Sequence, residues 1–543
     1  MKNNRIIALL VLLFAILMSL PWLVPGTGWL TLVGFVPLLC AERIATGCRM
    51  KRFWLWHYLA FVLWNAATTF WIWNATAGGA VFAILANAAQ MSLIFGVFRF
   101  SRRVFKGVLP YVFLMVMWIA WERFYFSAEI SWPWLTLGNA FAGTTRMVQW
   151  YSVTGTLGGS LWIWLVNLCV FGLMCSFSEG GWWERGYKSQ MAILAGVLLL
   201  VAVPPIASSV MYRRYEEKSE SEVKTLIAQP NIDMYQKFGR MSQMEQNAAL
   251  LELMKDAEEG TGLFIAPETF TSDVILNDVA GSGTWQSSVS FLRDFYPSSN
   301  LLFGASTKKY IEQRSAPLVP TRMMGTWQDT CGVIHTNWEL SYNSALVVDG
   351  SGNTEVCHKG KLVVGVEKTP YPRFFGKIDD MLGGVMGRCI PQKEASCLHL
   401  KDSTTFGCPI CYESVYGEYC TDYVKKGAKF LAVITNDAWW GDTPGYRQHF
   451  NYSRLRAIEL RRDIARCANT GLSAFIDQRG DVVSCTEWWK KETLEGTVHT
   501  NSEITTFAKY GDIPGKGCTL AFLLLLLALL VRTVSGGFRR ESA

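Results

Sequence analysis

The sequence predicts an α-helical membrane bundle of about eight spans joined to a layered α+β soluble domain. Three observations carry this expectation. Residues 1 to about 211 are almost continuously apolar, 222 to 505 have the mixed composition of a soluble globule, and 518 to 532 are apolar again. Inside the middle stretch, short apolar runs alternate with amphipathic segments, the pattern of strands and helices packed in layers. At 543 residues the chain is also too long for one ordinary domain. The boundaries read as a membrane domain at 1–215 with seven spans, a soluble domain at 222–505, a last transmembrane helix at 516–533 and a cytoplasmic tail at 534–543.

Candidate spans fall at 6–24, 29–45, 53–74, 78–100, 108–126, 156–178, 190–211 and 518–533, near the roughly 20 residues a bilayer core requires. Lys2 and Arg5 before an apolar run also resemble a signal peptide. No small-x-small cleavage site follows, and Pro21-Trp22 leads into more apolar sequence, so the first helix is expected to stay. Positive charges cluster in alternate loops: Arg43, Arg49, Lys51 and Arg52; Arg99, Arg102, Arg103 and Lys106; Arg185 and Lys188; and Arg532, Arg539 and Arg540. By the positive-inside rule both termini are cytoplasmic and the soluble domain faces outward, with Arg213 and Arg214 as the opposing signal. The net charge of +7 is thus spent on topology rather than on a nucleic-acid surface. Trp54, Trp56, Trp64, Trp71, Trp73 and the Trp-rich 118–134 region fit interfacial belts. Glu122 and Arg123 are expected to pair with each other, with no chemistry assigned to them.

In the soluble part, strands are expected at Val223–Gln229, Gly262–Ala266, Leu301–Ser306 and Lys429–Thr435, with helices at Ser242–Ala257 and Tyr446–Ala468. Hairpins join Ser341–Val348 to Thr354–Cys357 and Leu472–Ile476 to Val482–Cys485 across glycine-containing turns. Thr404–Ile410 reads as a buried strand, Cys411 follows at once, and Tyr412–Lys426 reads as a helix stopped at Gly427.

A thiol at such a junction lies at the positive end of a helix dipole, which would lower its pKa, and the first N–H groups there can receive an oxyanion. A buried structural cysteine is the commoner outcome, so a base and a cation must be sought elsewhere. Glu268 ends the strand of LFIAPETF, where partial desolvation would raise a carboxylate toward a useful base. Lys359, in EVCHKGKLVVGVE, follows a hairpin strand and would supply a cation to a thiolate and an oxyanion. Each alone is weak, because a Glu after Pro and a Lys after a strand usually lie at the surface.

In this order PE-T, K-x-K-L-V-x-x-x-E, C-Y-E-S and T-N-D-A-W-W-G-D resemble the nitrilase superfamily. With seven spans before the domain and one after, the chain is similar to the apolipoprotein N-acyltransferase family. The resemblance implies an αββα sandwich and a Glu268–Lys359–Cys411 triad, with Lys359 and not Lys361 as the catalytic lysine. It implies supporting roles for Glu367, Tyr412, Glu413 and Trp439. Phe238 stands where the family usually has tryptophan, and Val364-Gly365-Val366-Glu367 replaces its P-F-G-E. The implied reaction is ping-pong: Cys411 takes an acyl group from a membrane phospholipid and passes it to the α-amine of a diacylglyceryl-cysteine at an apolipoprotein N-terminus. It needs no metal and no other cofactor. The protein would act as a monomer in the bacterial inner (cytoplasmic) membrane with the catalytic domain in the periplasm.

Other classes remain in view. A membrane-tethered amidase shares the triad but gives its acyl group to water. Cys408-Pro-Ile-Cys411 is a C-x-x-C and allows a redox reading, including a disulfide between the two, although redox chemistry would not require Glu268 and Lys359. A zinc site would want a second ligand pair, and His358, His399 and His449 have no ligand-type spacing to Cys411. A transporter is disfavoured by the lack of an internal repeat. Glycine-rich 281–283 and 383–387, with the Cys389 and Cys397 region, suggest mobile covers over the site.

Overall fold

The computed structural model describes residues 2–233, 241–317, 319–376 and 387–541, so Phe238 and most of 383–387 lie outside the described residues. The chain divides into two compact units, Met1–Tyr215 with Tyr510–Ala543, and Glu216–Lys509.

The first unit is helical, and the chain is a membrane protein. Among the described residues, six helical stretches are long and apolar enough to cross a bilayer: Asn3–Leu23, Gly28–Gly47, Ala77–Ser101, Thr156–Ser178, Tyr187–Arg214 and Ile513–Ser535. The expected spans at 53–74 and 108–126 appear as shorter helices, Phe53–Thr69 and Leu109–Tyr125, each of 17 residues. Tyr187–Arg214 buries only Ser208, an exposure of apolar surface that suits lipid and not water.

Not all the tryptophans sit where interfacial belts would put them. Trp54 and Trp73 are exposed, but Trp64, Trp71, Trp118 and Trp134 are fully buried. Phe35 organises part of this aromatic interior, with ring centroids 4.3 Å from Trp164 and 5.2 Å from Trp118. Glu122 and Arg123 do not pair with each other. Arg123 lies 3.8 Å from Asp512, while Glu122 accepts from Trp118 Nε1 at 3.1 Å and the Leu137 N–H at 2.8 Å.

The second unit is a four-layer αββα sandwich. One sheet contains β1 (Glu222–Gln229), β2 (Leu263–Ile265), β3 (Asn300–Glu312), β4 (Arg322–Gln328), β5 (Ile334–Asp349), β6 (Thr354–His358) and β13 (Glu492–His499). Its order is β13-β1-β2-β3-β5-β4, with β6 pairing the C-terminal part of β5. The other contains β7 (Cys397–His399), β8 (Thr405–Gly407), β9 (Leu431–Thr435), β10 (Ile464–Ala468), β11 (Ala474–Ile476) and β12 (Val482–Cys485), in the order β12-β11-β10-β9-β8-β7.

Helices Gln243–Met254 and Gly283–Phe295 pack on the first sheet through Leu250, Met254, Val289 and Leu292. Helices Gly417–Lys425 and Pro444–Leu460 cover the second through Cys420, Val424, Ala457 and Leu460. The sheets face each other: the Cys467 thiol of β10 donates to the Ala228 carbonyl of β1 at 3.3 Å.

The long helix expected at Tyr446–Ala468 stops at Leu460. Arg461 takes a left-handed φ of 50°, and Ile464–Ala468 becomes β10, paired in parallel with β9. No glycine or proline marks this break; strand pairing overrides the local helical pattern. Residues 281–283 form an ordered helix start, where the Ser282 side chain accepts from the Trp285 N–H.

Candidate active site

The reactive groups follow the carboxyl ends of strands: Glu268 and Cys411 come after β2 and β8, which pair in parallel with their neighbours, and Lys359 after β6, which pairs antiparallel with β5. Glu268 leaves the end of β2. Its backbone lies so close to Gly304 of β3 that a Cβ there would sit 2.5 Å from the Glu268 Cα, so the position tolerates only glycine. Lys359 follows β6 and donates its N–H to the Asn343 carbonyl of β5 at 2.8 Å. Cys411 follows the short β8 and the Ile410–Ile434 bridge, at a left-handed φ of 51°.

The Lys359 ammonium, 1% exposed, lies 2.9 Å from Glu268 Oε1 and 2.9 Å from Glu367 Oε1. Burial alone would push its pKa down, but Glu268, Glu367 and then Cys411 more than offset this and hold it well above the ordinary lysine range. Asn343 Nδ2 bridges the same two carboxylate oxygens, at 2.8 and 2.7 Å. The remaining Glu268 oxygen accepts the Asn436 N–H at 3.1 Å, and Glu367 Oε2 accepts the Val363 N–H at 2.7 Å.

Glu413 is fully buried and ties two loops together. Its carboxylate accepts the Gly360 N–H at 2.6 Å, beside Lys359, and the Ile410 N–H at 2.8 Å, beside Cys411. Burial raises its pKa, opposed by these donors. Tyr412 is buried, its ring edge-on to Tyr416 at 5.1 Å. Trp439 is half exposed, on the turn that carries Asp437. The structure therefore joins Glu268, Lys359 and Glu367 in one hydrogen-bonded cluster, ties Glu413 to the Lys359 and Cys411 loops through backbone N–H groups, and leaves Trp439 outside the cluster.

Two expectations need correction, and the Cys408–Cys411 disulfide left open above is not formed. Local helix geometry at Cys411 is a five-residue 3-10 turn, Cys411–Val415, followed by a separate helix, and not one long helix with a strong dipole. The thiol pKa is raised, not lowered: burial dominates, Glu268 adds to it, and Lys359 only partly opposes. Cys408 hydrogen-bonds to Cys357 and not to Cys411, and the cysteines are all free thiols.

Sequence spacing set His449 apart from Cys411, yet ligand-type atoms of Cys411, Asp437 and His449 lie within 4.8 Å of one another. These atoms already serve protein hydrogen bonds. His449 Nε2 faces the Cys411 carbonyl at 3.0 Å, which requires a proton on that nitrogen. Asp437 accepts from Arg466 at 2.8 Å and from Thr435 at 2.9 Å. The donor set suits an orienting network better than a cation.

Asn343, Asp437, His449 and Arg466 were missed as site residues. For Asn343 and Arg466 the one legible signal is a polar or charged side chain inside a strand, as in the IARCA of β10; Asp437, on a turn, and His449, on a helix, carry none.

A family profile described as carbon-nitrogen hydrolase matches residues 227–506, more than half of the chain. A second, described as the apolipoprotein N-acyltransferase N-terminal domain, matches 14–169. The chain is 27% identical to a protein named apolipoprotein N-acyltransferase from Chlorobaculum tepidum, over 91% of each chain. It is 24% identical to one of the same name from Geobacter metallireducens, over 98% of this chain and 96% of that one. Among solved structures, a carbon-nitrogen hydrolase from Helicobacter pylori matches at 13% identity and a TM-score of 0.34, covering 56% of this chain and 94% of its own.

Proposed function

The chain belongs to the carbon-nitrogen hydrolase family, in its apolipoprotein N-acyltransferase branch, and from that premise we propose a phospholipid-dependent N-acyltransferase working through Cys411. The acyl donor is a membrane phospholipid, and the acceptor is the α-amine of the N-terminal diacylglyceryl-cysteine of an apolipoprotein. The observation that carries the chemistry is the buried Lys359 ammonium clamped between Glu268 and Glu367.

The resting thiol is held protonated by burial, so it needs a base, and Glu268 serves. Cys411 Sγ attacks the ester carbonyl as Glu268 takes the thiol proton. The Lys359 ammonium and the Tyr412 N–H hold the oxyanion. Collapse breaks the ester C–O bond, Glu268 protonates the leaving lysophospholipid, and a thioester remains. The acceptor amine then attacks; its proton passes through Glu268 to the Cys411 thiolate as the C–S bond breaks, leaving an amide. Glu367 and Asn343 orient Lys359, and Glu413 holds its loop against the Cys411 turn. Tyr412 and Trp439 complete the substrate side, Trp439 through its exposed indole, and Phe238, outside the described residues, is assigned to substrate binding on the family resemblance alone.

Both lipid substrates reach the site laterally from the bilayer, which gives the membrane unit its purpose. The soluble unit lies in the periplasm and the protein is anchored in the inner membrane. A reporter active only outside the cytoplasm should work when fused after Ser219 and fail after Arg540; the reverse pattern removes lipoproteins as substrates.

Purified protein given phospholipid alone should accumulate one fatty acyl group on Cys411, released by neutral hydroxylamine and absent in Cys411→Ala. A diacylglyceryl-cysteine peptide with a free amine should discharge it; the same peptide with a blocked amine should not. Free fatty acid released at one rate with or without the amine would mean that water is the acceptor and the protein is an amidase-type hydrolase.

A further inference from the structure

Behind Cys411 lies a buried network that the reaction above does not use. Asp437 follows β9, His449 lies on helix Pro444–Leu460, and Arg466 lies on β10; all three side chains are fully buried. Asp437 Oδ1 is 3.0 Å from His449 Nδ1, and Arg466 Nη2 reaches both Asp437 Oδ2 at 2.8 Å and Nδ1 at 3.2 Å. This fixes the rotation of the imidazole. His449 Nε2 then points at the Cys411 carbonyl oxygen, 3.0 Å away. Ser414 Oγ donates to the same oxygen at 2.8 Å and lies 3.1 Å from Nε2.

The Cys411 carbonyl and the Tyr412 N–H belong to one planar peptide unit and point in opposite directions. Whatever holds the carbonyl therefore aims the N–H. Two donors on the carbonyl also polarise the peptide and strengthen its N–H as a donor. The unit needs holding, because Cys411 has a φ of 51°, a conformation that residues with a Cβ adopt at a cost of about 1–2 kcal/mol.

Resting on the reading that Tyr412 N–H receives the oxyanion, we propose that His449, braced by Asp437 and Arg466, is a positioning residue that aims this N–H by gripping the Cys411 carbonyl. His449 is not the base. Its proton on Nε2 is committed to a carbonyl, and its part is to donate rather than to accept.

Two rates measured on the full-length protein in phospholipid separate the roles. Acylation of Cys411 by phospholipid passes through an oxyanion, whereas alkylation by iodoacetamide displaces iodide and forms none. His449→Phe keeps bulk and removes the donor; it should slow acylation roughly 10- to 100-fold, less than the ~10²–10³ for loss of an oxyanion donor itself, with alkylation near the wild-type rate. His449→Gln restores an N–H donor without a base and should recover most of the acylation rate. Ser414→Ala removes the second donor from the same oxygen, should slow acylation several-fold with alkylation unchanged, and carries the test should His449→Phe not fold.

Equal acylation by wild type, His449→Phe and Ser414→Ala overturns the proposal, as does a parallel fall of both rates. A His449→Gln protein that alkylates normally but acylates no faster than His449→Phe overturns it in favour of His449 as base. Absence of any acyl-Cys411 in the wild type is a different result: it sinks the thioester reading itself.

Discussion

The two units of this chain treat charge and apolar surface in opposite ways. In the membrane unit, large apolar side chains face outward: Leu9 is 67% exposed, Leu93 69% and Leu198 68%. Of its buried carboxylates, Glu42 is met by Arg99 and Arg102 from one neighbouring segment and by Thr46 one turn along its own helix, and Glu122 and Asp512 have the partners given above. In the soluble unit the inside is charged. Glu268, Lys359, Glu367, Glu413, Asp437, His449 and Arg466 lie between residues 268 and 466; Glu268, Lys359 and Glu367 form one hydrogen-bonded cluster, Asp437, His449 and Arg466 another, and Glu413 ties the Lys359 and Cys411 loops through backbone N–H groups. The contrast teaches where each unit draws its organisation from. Lipid on the outside makes apolar exposure free, so composition already marks where the membrane helices lie. A buried charge network is stable only if every member is paired, so it exists only once distant strands have met.

The sharpest way to break this comparison is to remove one charge from each unit. Lys359→Met leaves Glu268 and Glu367 buried without their cation. It should abolish thioester formation, on the order of 10³-fold, and destabilise the soluble unit by about 3–5 kcal/mol. Arg102→Met in the membrane unit leaves Arg99 to serve Glu42 and should lower the melting temperature far less. Similar losses in both variants would erase the distinction.

Asp437 tests the network through pH. Burial alone would raise its carboxyl, but Arg466 and His449 more than offset this and hold it below the ordinary aspartate range. A depressed folded-state pKa adds stability that is fully present above the unfolded value, about 3.9, and is lost as pH falls through the lower folded value. Asp437→Asn should therefore destabilise the protein at neutral pH by on the order of 3 kcal/mol. It should also flatten the acid limb of melting temperature against pH. An unchanged acid limb would show that Asp437 is not ionised in the folded protein.

Lys361 provides a smaller effect. It lies two residues from Lys359, but its ammonium sits over the rings of Tyr416 and Tyr419, at 5.2 and 5.6 Å, and burial lowers its pKa. Lys361→Met should cost less than about tenfold in acylation rate. If Lys361→Met were dead and Lys359→Met active, the register of this loop would be wrong.

The smallest effect is expected at Cys408, which meets Cys357 rather than Cys411. Cys408→Ser should acylate at close to the wild-type rate. Oxidised protein should still lose its activity to iodoacetamide through Cys411; protection of Cys411 by oxidation would instead restore the Cys408–Cys411 disulfide.

Much of this was legible along the chain because its causes are local. Apolar runs near the length of a bilayer mark the helices that lipid will surround, and alternating apolar strands with glycine turns mark the hairpins. The residues Glu268, Lys359 and Cys411 stand out because each ends a strand, the place where a side chain leaves the sheet. Their order and motifs carry the family resemblance. The fate of the stretch after Leu460 was not legible, because β9 and not the local pattern decides that Ile464–Ala468 is a strand. Nor was the raised thiol pKa, which comes from burial by segments remote in sequence. Asn343, Asp437, His449 and Arg466 gain their roles only from partners up to 75 residues away, such as Glu268 for Asn343. Local propensity and hydropathy act through neighbours in the chain, whereas burial and electrostatics act through neighbours in space, and those are chosen only when the two sheets close on each other.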